Sequence, residues 1–242
     1  MITKSVVKDI QSLAGKKYRD QAGLFLAEGP KLVEELLRDC PHSIKAIYAL
    51  ESWIQQNKII NSSIQVTLVT PAELERLSQL ITPHEVLAVV SKFPISPLQI
   101  DKGLTLVCCG IQDPGNFGTI LRTADWFGVR QLVCSTDTVD VYNPKVVQAT
   151  MGSIARLAVH YMDLDPWLDE QEVPIYAAIL NGQSVYEINR SQSGILLIGN
   201  EAKGVPASLL TKKVTGITIP KIGEAESLNA AVATGILLSW LS

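Results

Sequence analysis

The side chains best suited to chemistry fall in three short stretches. IQDPGNFGTILRTADWFG, residues 111–128, carries Asn116 and Arg122 among small and apolar neighbours. GNEAKGVP, residues 199–206, carries Glu201, and PKIGEAESLN, residues 220–229, carries Glu226, Ser227 and Asn229. The Gly and Pro residues let a ligand approach the backbone closely. A guanidinium, amides and a carboxylate together suit an anionic or hydroxyl-bearing substrate. Taken singly each has a plainer reading: Asn116 as a helix N-cap, Arg122 and Glu201 as surface charges, Ser227 or Glu226 as caps of a last helix. Their joint occurrence at three loops is what calls for a ligand.

Those loops need elements to hold them. From Leu104 the chain alternates continuous apolar runs, TLVCCG, RQLVCS, VPIYAAIL, GILLIGN and VTGITIP, with helical stretches such as NFGTILRTADWFG and NPKVVQATMGSIAR. That alternation predicts a parallel sheet covered on both faces, closed by a helix starting at or just after Glu226. Ligands of such sheets bind outside the carboxyl ends of the strands, which is where the three stretches lie. Neither G-x-G-x-x-G nor G-x-x-x-x-G-K-[ST] is present, which disfavours a dinucleotide or a nucleoside triphosphate.

Residues 1 to about 93 alternate helical and strand patterns in a small α/β unit, beginning with a basic helix through Tyr18. PISPLQIDKG then has the composition of a linker. The boundary falls near Ser96, giving domains 1–96 and 97–242. The 242 residues, 47% hydrophobic, suffice for well-packed cores, and the net charge of −3 argues against indiscriminate coating of nucleic acid. A local patch is nevertheless present: Lys4, Lys8, Lys16, Lys17 and Arg19 face only Asp9 within the first 19 residues. Lys16, Lys17 and Arg19 are the candidate contacts to a polyanion, with a solvated helix end as the equal alternative.

The four cysteines lack both CxxC spacing and a histidine cluster, so no metal site or disulfide framework is expected. His42, His84 and His160 are scattered. Trp126 reads as a packing residue rather than a base-stacking platform. With no signal-peptide block and no membrane-length apolar run, a cytoplasmic protein without membrane contact is expected.

DPGNFGTILRTADWFGV, IGNEAKGVP and IPKIGEAESLNAAVATGILL resemble, in order and spacing, the three signature motifs of the SpoU (TrmH-like) class of SPOUT RNA methyltransferases. The resemblance spans residues 104–242. LFLAEGPKLVEELL resembles part of the ribosomal-protein-like RNA-binding domain often joined to these enzymes. The resemblance implies a C-terminal sheet threaded into a deep trefoil knot, S-adenosylmethionine as methyl donor, ribose 2′-hydroxyl groups of RNA as acceptors, and a homodimer with composite active sites. It places Arg122, Asn116, Glu201, Ser227 and Asn229 in the catalytic machinery. It places Leu180, Asn181, Gly182, Gly199, Asn200, Ile219 and Leu228 around the cofactor. Arg122 is either a proton acceptor in an unusual site or a clamp on the neighbouring phosphate, because a guanidinium is an awkward base. Ala202 departs from the glycine usual after the glutamate, and Ala230-Ala231 from the commoner Val-Ser. The implied function is 2′-O-methylation of ribosomal RNA, with large-subunit (23S-type) RNA favoured. The rivals are transfer-RNA 2′-O-methylation and a non-catalytic dimeric RNA-binding module with a decayed site.

Overall fold

The computed structural model describes residues 2–57, 64–100, 102–189, 193–211 and 213–242. The chain divides into two compact units, residues 1–94 with 140–155, and residues 95–139 with 156–242.

In the first unit, α1 (Lys4–Ser12) and α2 (Lys16–Ala22) precede β1 (Leu24–Glu28), α3 (Pro30–Asp39), β2 (Ile44–Ala49), α4 (Glu51–Gln56), β3 (Gln65–Leu68), α5 (Pro71–Leu77) and β4 (Val86–Ser91). The sheet order is β1-β4-β2-β3, with β4 antiparallel to β1 and β2, and β3 parallel to β2. The amphipathic α1 buries Val7 and Ile10 with Leu26, Leu74, Leu77 and Leu87. α5 starts at a reciprocal capping box, Thr70 with Glu73, which satisfies two backbone N–H groups that the first helical turn leaves unpaired.

The basic segment expected as one helix through Tyr18 is broken at Leu13–Gly15. Arg19 explains the break: its Nη1 donates to the carbonyls of Leu13 (3.0 Å) and Ala14 (2.7 Å), and its Nη2 pairs with Asp140 at 2.6 Å. Asp140 belongs to a segment that sequence order places between strands of the second unit. That segment forms α7 (Pro144–Thr150), buries Val146, Val147 and Ile154, and packs on β1. Tyr142 stacks on Phe25, with ring centroids 4.9 Å apart, and its Oη accepts from Phe93 N. The linear boundary near Ser96 therefore does not coincide with the spatial division, because the apolar face of α7 finds its cover on the first unit.

The second unit holds β5 (Leu104–Cys109), α6 (Pro114–Trp126), β6 (Gln131–Ser135), β7 (Ala158–Met162), α8 (Leu164–Asp169), β8 (Ile175–Ser184), β9 (Gly194–Gly199), β10 (Val214–Thr218) and α9 (Ala230–Leu241). All six strands are parallel, in the order β10-β8-β9-β5-β6-β7. β5 and β9 are buried along almost their whole length, as continuous apolar strands must be when both faces are covered. β9 inserts between β5 and β8, so strands far apart in sequence end side by side. α9 starts at Ala230 with Asn229 as its cap, four residues after Glu226, at or just after which the start was expected. Its small residues let α6 pack closely, with a Cβ added at Gly235 in ordinary contact with Thr123.

Candidate functional site

Each of the three loops is shaped by its own sequence. After β5, Gly110 takes a left-handed φ of 67°, with its N–H held by Ser135 Oγ at 2.8 Å. Asp113 then accepts from Asn116 N at 2.7 Å and caps α6, whose Pro114 costs nothing at a helix start because its missing N–H would have had no partner there. Asn116 consequently stands on the first turn, and Arg122 two turns on.

After β9 the chain folds tightly back. A Cβ at Gly199 would lie 2.0 Å from the backbone of Gly204, so no other residue fits. Asn200 shapes this turn: its Oδ1 accepts from Ala202 N (2.9 Å) and Lys203 N (3.2 Å), and its Nδ2 donates to Gly110 O at 2.9 Å. After β10, residues 220–229 are exposed throughout, until Asn229 caps α9.

The loops meet through side chains. Asn229 Oδ1 accepts from the N–H groups of Ala231 (2.9 Å) and Val232 (3.3 Å), so its Nδ2 faces away and donates to Asn116 Oδ1 at 2.8 Å. Asn116 Nδ2 in turn donates to Glu201 Oε1. The direction of the whole relay is set by the start of α9, whose N–H groups can only donate. Glu201 is held as an acceptor by Asn116, near the starts of α6 and α9, whose positive ends suit a phosphate.

Of the five residues placed in the machinery from sequence, Asn116, Glu201 and Asn229 are brought together. Arg122 and Ser227 are exposed and make no hydrogen bond or ion pair among the described residues. The residues expected around a cofactor lie at the carboxyl ends of β8, β9 and β10. β8 breaks register against β10 between Gly216 and Ile217, which loops out the stretch of Leu180, Asn181 and Gly182. Thr218 Oγ1 donates to Leu180 O at 3.0 Å, and Gly182 lies against the Gly216 backbone so closely that a Cβ would collide at 2.6 Å. Leu180 and Leu228 keep 67% and 47% of their surface exposed, and residues 221–228 make no backbone hydrogen bond among the described residues. Apolar side chains beside unpaired backbone donors and acceptors fit an adenosine and an amino-acid chain.

Two sequence readings change, those of Arg19 and Trp126. Arg19 is 2% exposed and committed to Asp140, so it is an internal brace and not an RNA contact. Lys16 pairs with Asp20 at 3.0 Å but stays exposed, as does Lys17. Trp126 is 84% exposed and therefore contributes little to packing within its own chain. The sequence reading also missed the bracing role of the Asn200 side chain and the Ser135–Asp137 contact (2.6 Å) beneath Gly110, although an Asx-type turn and the STD tripeptide signal both. All four cysteines are free and buried; burial, with Cys108, Asp137 and Asp165 nearby, pushes the Cys109 thiol far up, and burial does the same to Cys134, so these two remain protonated. Among the described residues no cluster of metal-ligating side chains occurs, and no helix is long and apolar enough to cross a membrane.

This geometry has known relatives. Residues 103–239 match the SpoU rRNA Methylase family, more than half of the chain. The chain belongs to that family. Residues 4–88 match the MRM3-like substrate binding domain. The 23S rRNA (guanosine(2553)-2′-O)-methyltransferase RlmP of Bacillus subtilis is 35% identical over 97% of this chain and 95% of its own length. An RNA methyltransferase of the TrmH family from Porphyromonas gingivalis superposes with a TM-score of 0.87 at 36% identity, over 100% of this chain and 98% of its own. The S-adenosylmethionine-bound rRNA methyltransferase of Sinorhizobium meliloti does so with 0.86 at 30%, over 100% and 95%. The three loops joined through Asn116 all lie within the matched residues.

Proposed function

We propose that this SpoU-family chain methylates a ribose 2′-hydroxyl of large-subunit ribosomal RNA with S-adenosylmethionine as donor. The observation that carries the reading is the Glu201–Asn116–Asn229 relay, which locks three strand-end loops into one site beside two helix N-termini. Support for the substrate comes from the relatives named for 23S rRNA, together with a first unit matching a substrate-binding domain.

When bound, S-adenosylmethionine supplies an electrophilic methyl group on a sulfonium. Leu180, Leu228 and Ile219 would cover its adenosine, and the backbone of Asn181, Gly182, Gly199 and Asn200 would hold its polar groups. Arg122, exposed and uncommitted, holds the phosphate next to the reacting ribose and so aims the hydroxyl. The planar fork of a guanidinium suits it to gripping phosphate oxygens and ill suits it to accepting a proton, which makes this clamp the better of its two roles. Ser227, exposed on the third loop, would hydrogen-bond the ribose, while Asn116, Glu201 and Asn229 keep the loops in register.

The same proposal includes a homodimer. On α6 the exposed positions Gly115, Thr119, Arg122 and Trp126 form one stripe at helical spacing, and Val232 of α9 is 51% exposed. A second copy covering Trp126 and Val232 would bring its own residues to the face that bears Arg122. The trefoil threading of the C-terminal sheet belongs to this reading too, and stretching the chain from both ends, which would leave a tightened knot, tests it. A cytoplasmic location is part of the same proposal.

The test is methyl transfer from labelled S-adenosylmethionine to large-subunit rRNA taken from cells lacking the gene, with the product ribose mapped. Incorporation at one 2′-hydroxyl is expected. Incorporation into transfer RNA alone would replace the substrate, and none into any RNA would sink the enzymatic reading.

A further inference from the structure

A second candidate site lies wholly in the first unit. A cavity of about 490 Å3 opens at the carboxyl ends of β1, β2 and β3, and none of its lining residues belongs to the methyl-transfer loops. Its walls are the rings of Pro30, Pro71 and Pro83 and the imidazole of His84, over a floor that includes the buried Leu74. The polar lining is supplied by His84 and two carboxylates, Glu75 and Glu85.

The cavity is preformed. Glu28, itself buried, accepts from Ser78 Oγ and from Gln79 N (3.0 Å), which pins the turn running into Pro83 and His84. The His84 ring packs against Gly29, where a Cβ would approach it to 3.3 Å, yet the side chain remains exposed. Glu85 Oε1 accepts from Ser52 Oγ at 2.8 Å, which fixes that carboxylate while Oε2 and the second lone pair of Oε1 stay available to a ligand. Ile81, on the same loop, is fully exposed.

This lining selects its occupant. No Lys or Arg appears among the described lining residues, so a phosphate would meet only carboxylates. A flat, uncharged group that donates hydrogen bonds along one edge is complementary instead. Flat apolar walls and an imidazole accept the face of a nucleobase, as single-stranded RNA bases are commonly held, and a volume of several hundred Å3 admits a nucleoside. Guanine presents N1–H and the 2-amino group side by side, matching the two oxygens of a carboxylate; uracil offers a single N–H between two carbonyls that a carboxylate repels.

We propose that this cavity binds an unpaired guanine of the RNA, stacked on His84 between the prolines and hydrogen-bonded to Glu85 or Glu75. The proposal rests on the reading of the chain as an RNA methyltransferase and adds to it a base-reading pocket outside the methyl-transfer site. Ile81 then gives the neighbouring base an apolar surface in place of the stacking partner it loses.

The experiment titrates the full chain with single-stranded RNA pentanucleotides that differ only in the central base, and in parallel measures methyl transfer to unmodified large-subunit rRNA. Preference for central G over U is expected, abolished in the Glu75→Gln/Glu85→Gln double variant. His84→Ala should weaken binding on the order of tenfold, the usual effect of removing a stacking ring, while His84→Trp should retain it. On rRNA the same weak-binding variants should raise KM with kcat at saturating RNA and S-adenosylmethionine affinity unchanged. Affinities and KM equal to wild type in every variant would overturn the pocket while leaving the methyltransferase reading intact. A shift in the monomer–dimer equilibrium, with RNA affinity unchanged, would assign the cavity to a second copy of the chain and likewise overturn the proposal. Base preference in the absence of any methyl transfer would uphold the pocket and remove the enzymatic reading.

Discussion

Asn116 donates its side-chain amide to Glu201, 85 residues further along the chain, at 2.5 Å. Because Asn229 can offer Asn116 only a donor, Asn116 has a single amide orientation that satisfies both neighbours. Replacing that donor by an acceptor sets two carboxylates against each other. Asn116→Asp should therefore lower kcat/KM by about a hundredfold, in line with a lost hydrogen bond plus like-charge repulsion in a confined site. The double variant Asn116→Asp/Glu201→Gln restores a donor–acceptor pair and should recover at least about tenfold, a coupling within the range for contacting residues. If the double variant is no better than the single one, Glu201 has a role in transfer beyond its bond to Asn116.

Arg122→Ala should abolish methyl transfer while unfolding stability changes by no more than about 0.5 kcal/mol, since the side chain is exposed and makes no hydrogen bond or ion pair among the described residues. Arg122→Lys should fail as well, because a point charge does not reproduce the planar fork. Single-turnover rates with S-adenosylmethionine affinity measured alongside test this. Wild-type rates in either folded variant would take Arg122 out of the mechanism.

Arg19→Ala should destabilise the protein by about 3–5 kcal/mol, the usual cost of leaving one partner of a buried ion pair alone. The loss of its bonds to Leu13 and Ala14 adds to this, since those carbonyls end α1. Lys16→Ala/Lys17→Ala should leave urea unfolding nearly unchanged and reduce the salt dependence of RNA binding. A stable Arg19→Ala protein with weakened RNA binding would return Arg19 to the substrate surface.

Trp126→Glu should raise the dimer dissociation constant by about a hundredfold, since a large aromatic ring 84% exposed in one chain is a typical anchor of a subunit contact. Sedimentation across a concentration series reads the shift. An unchanged equilibrium would move the subunit contact away from α6.

A fragment of residues 95–242 should be far less soluble than the full chain. It keeps Val146, Val147 and Ile154 but loses β1, against which α7 packs. Replacing those three side chains by polar ones should recover solubility. A fragment that stays monodisperse without such changes would show that residues 140–155 do not need the first unit as cover.

Periodicity and turn chemistry carried a good deal by themselves. The unbroken apolar runs of β5 and β9 could exist only in a sheet covered on both faces, and DPGN, NEAKG and SLN each bore the local signature of a cap or turn at a strand end. Local signals are short-ranged, so they named Asn116, Glu201 and Asn229 without joining them. The joining depends on strand order: β9 inserts beside β5, and only then do residues 85 and 113 positions apart in the chain share hydrogen bonds. Arg19 and Trp126 show the same limit in opposite senses. A basic residue in a basic run was expected in solvent and is buried, because an aspartate more than a hundred residues away meets it. An aromatic residue on an apolar helix was read as a packing residue and is exposed within the chain, because α9 packs against another face of that helix. Composition sets what a segment tends to bury, and the tertiary contacts decide which side chains are buried and against what.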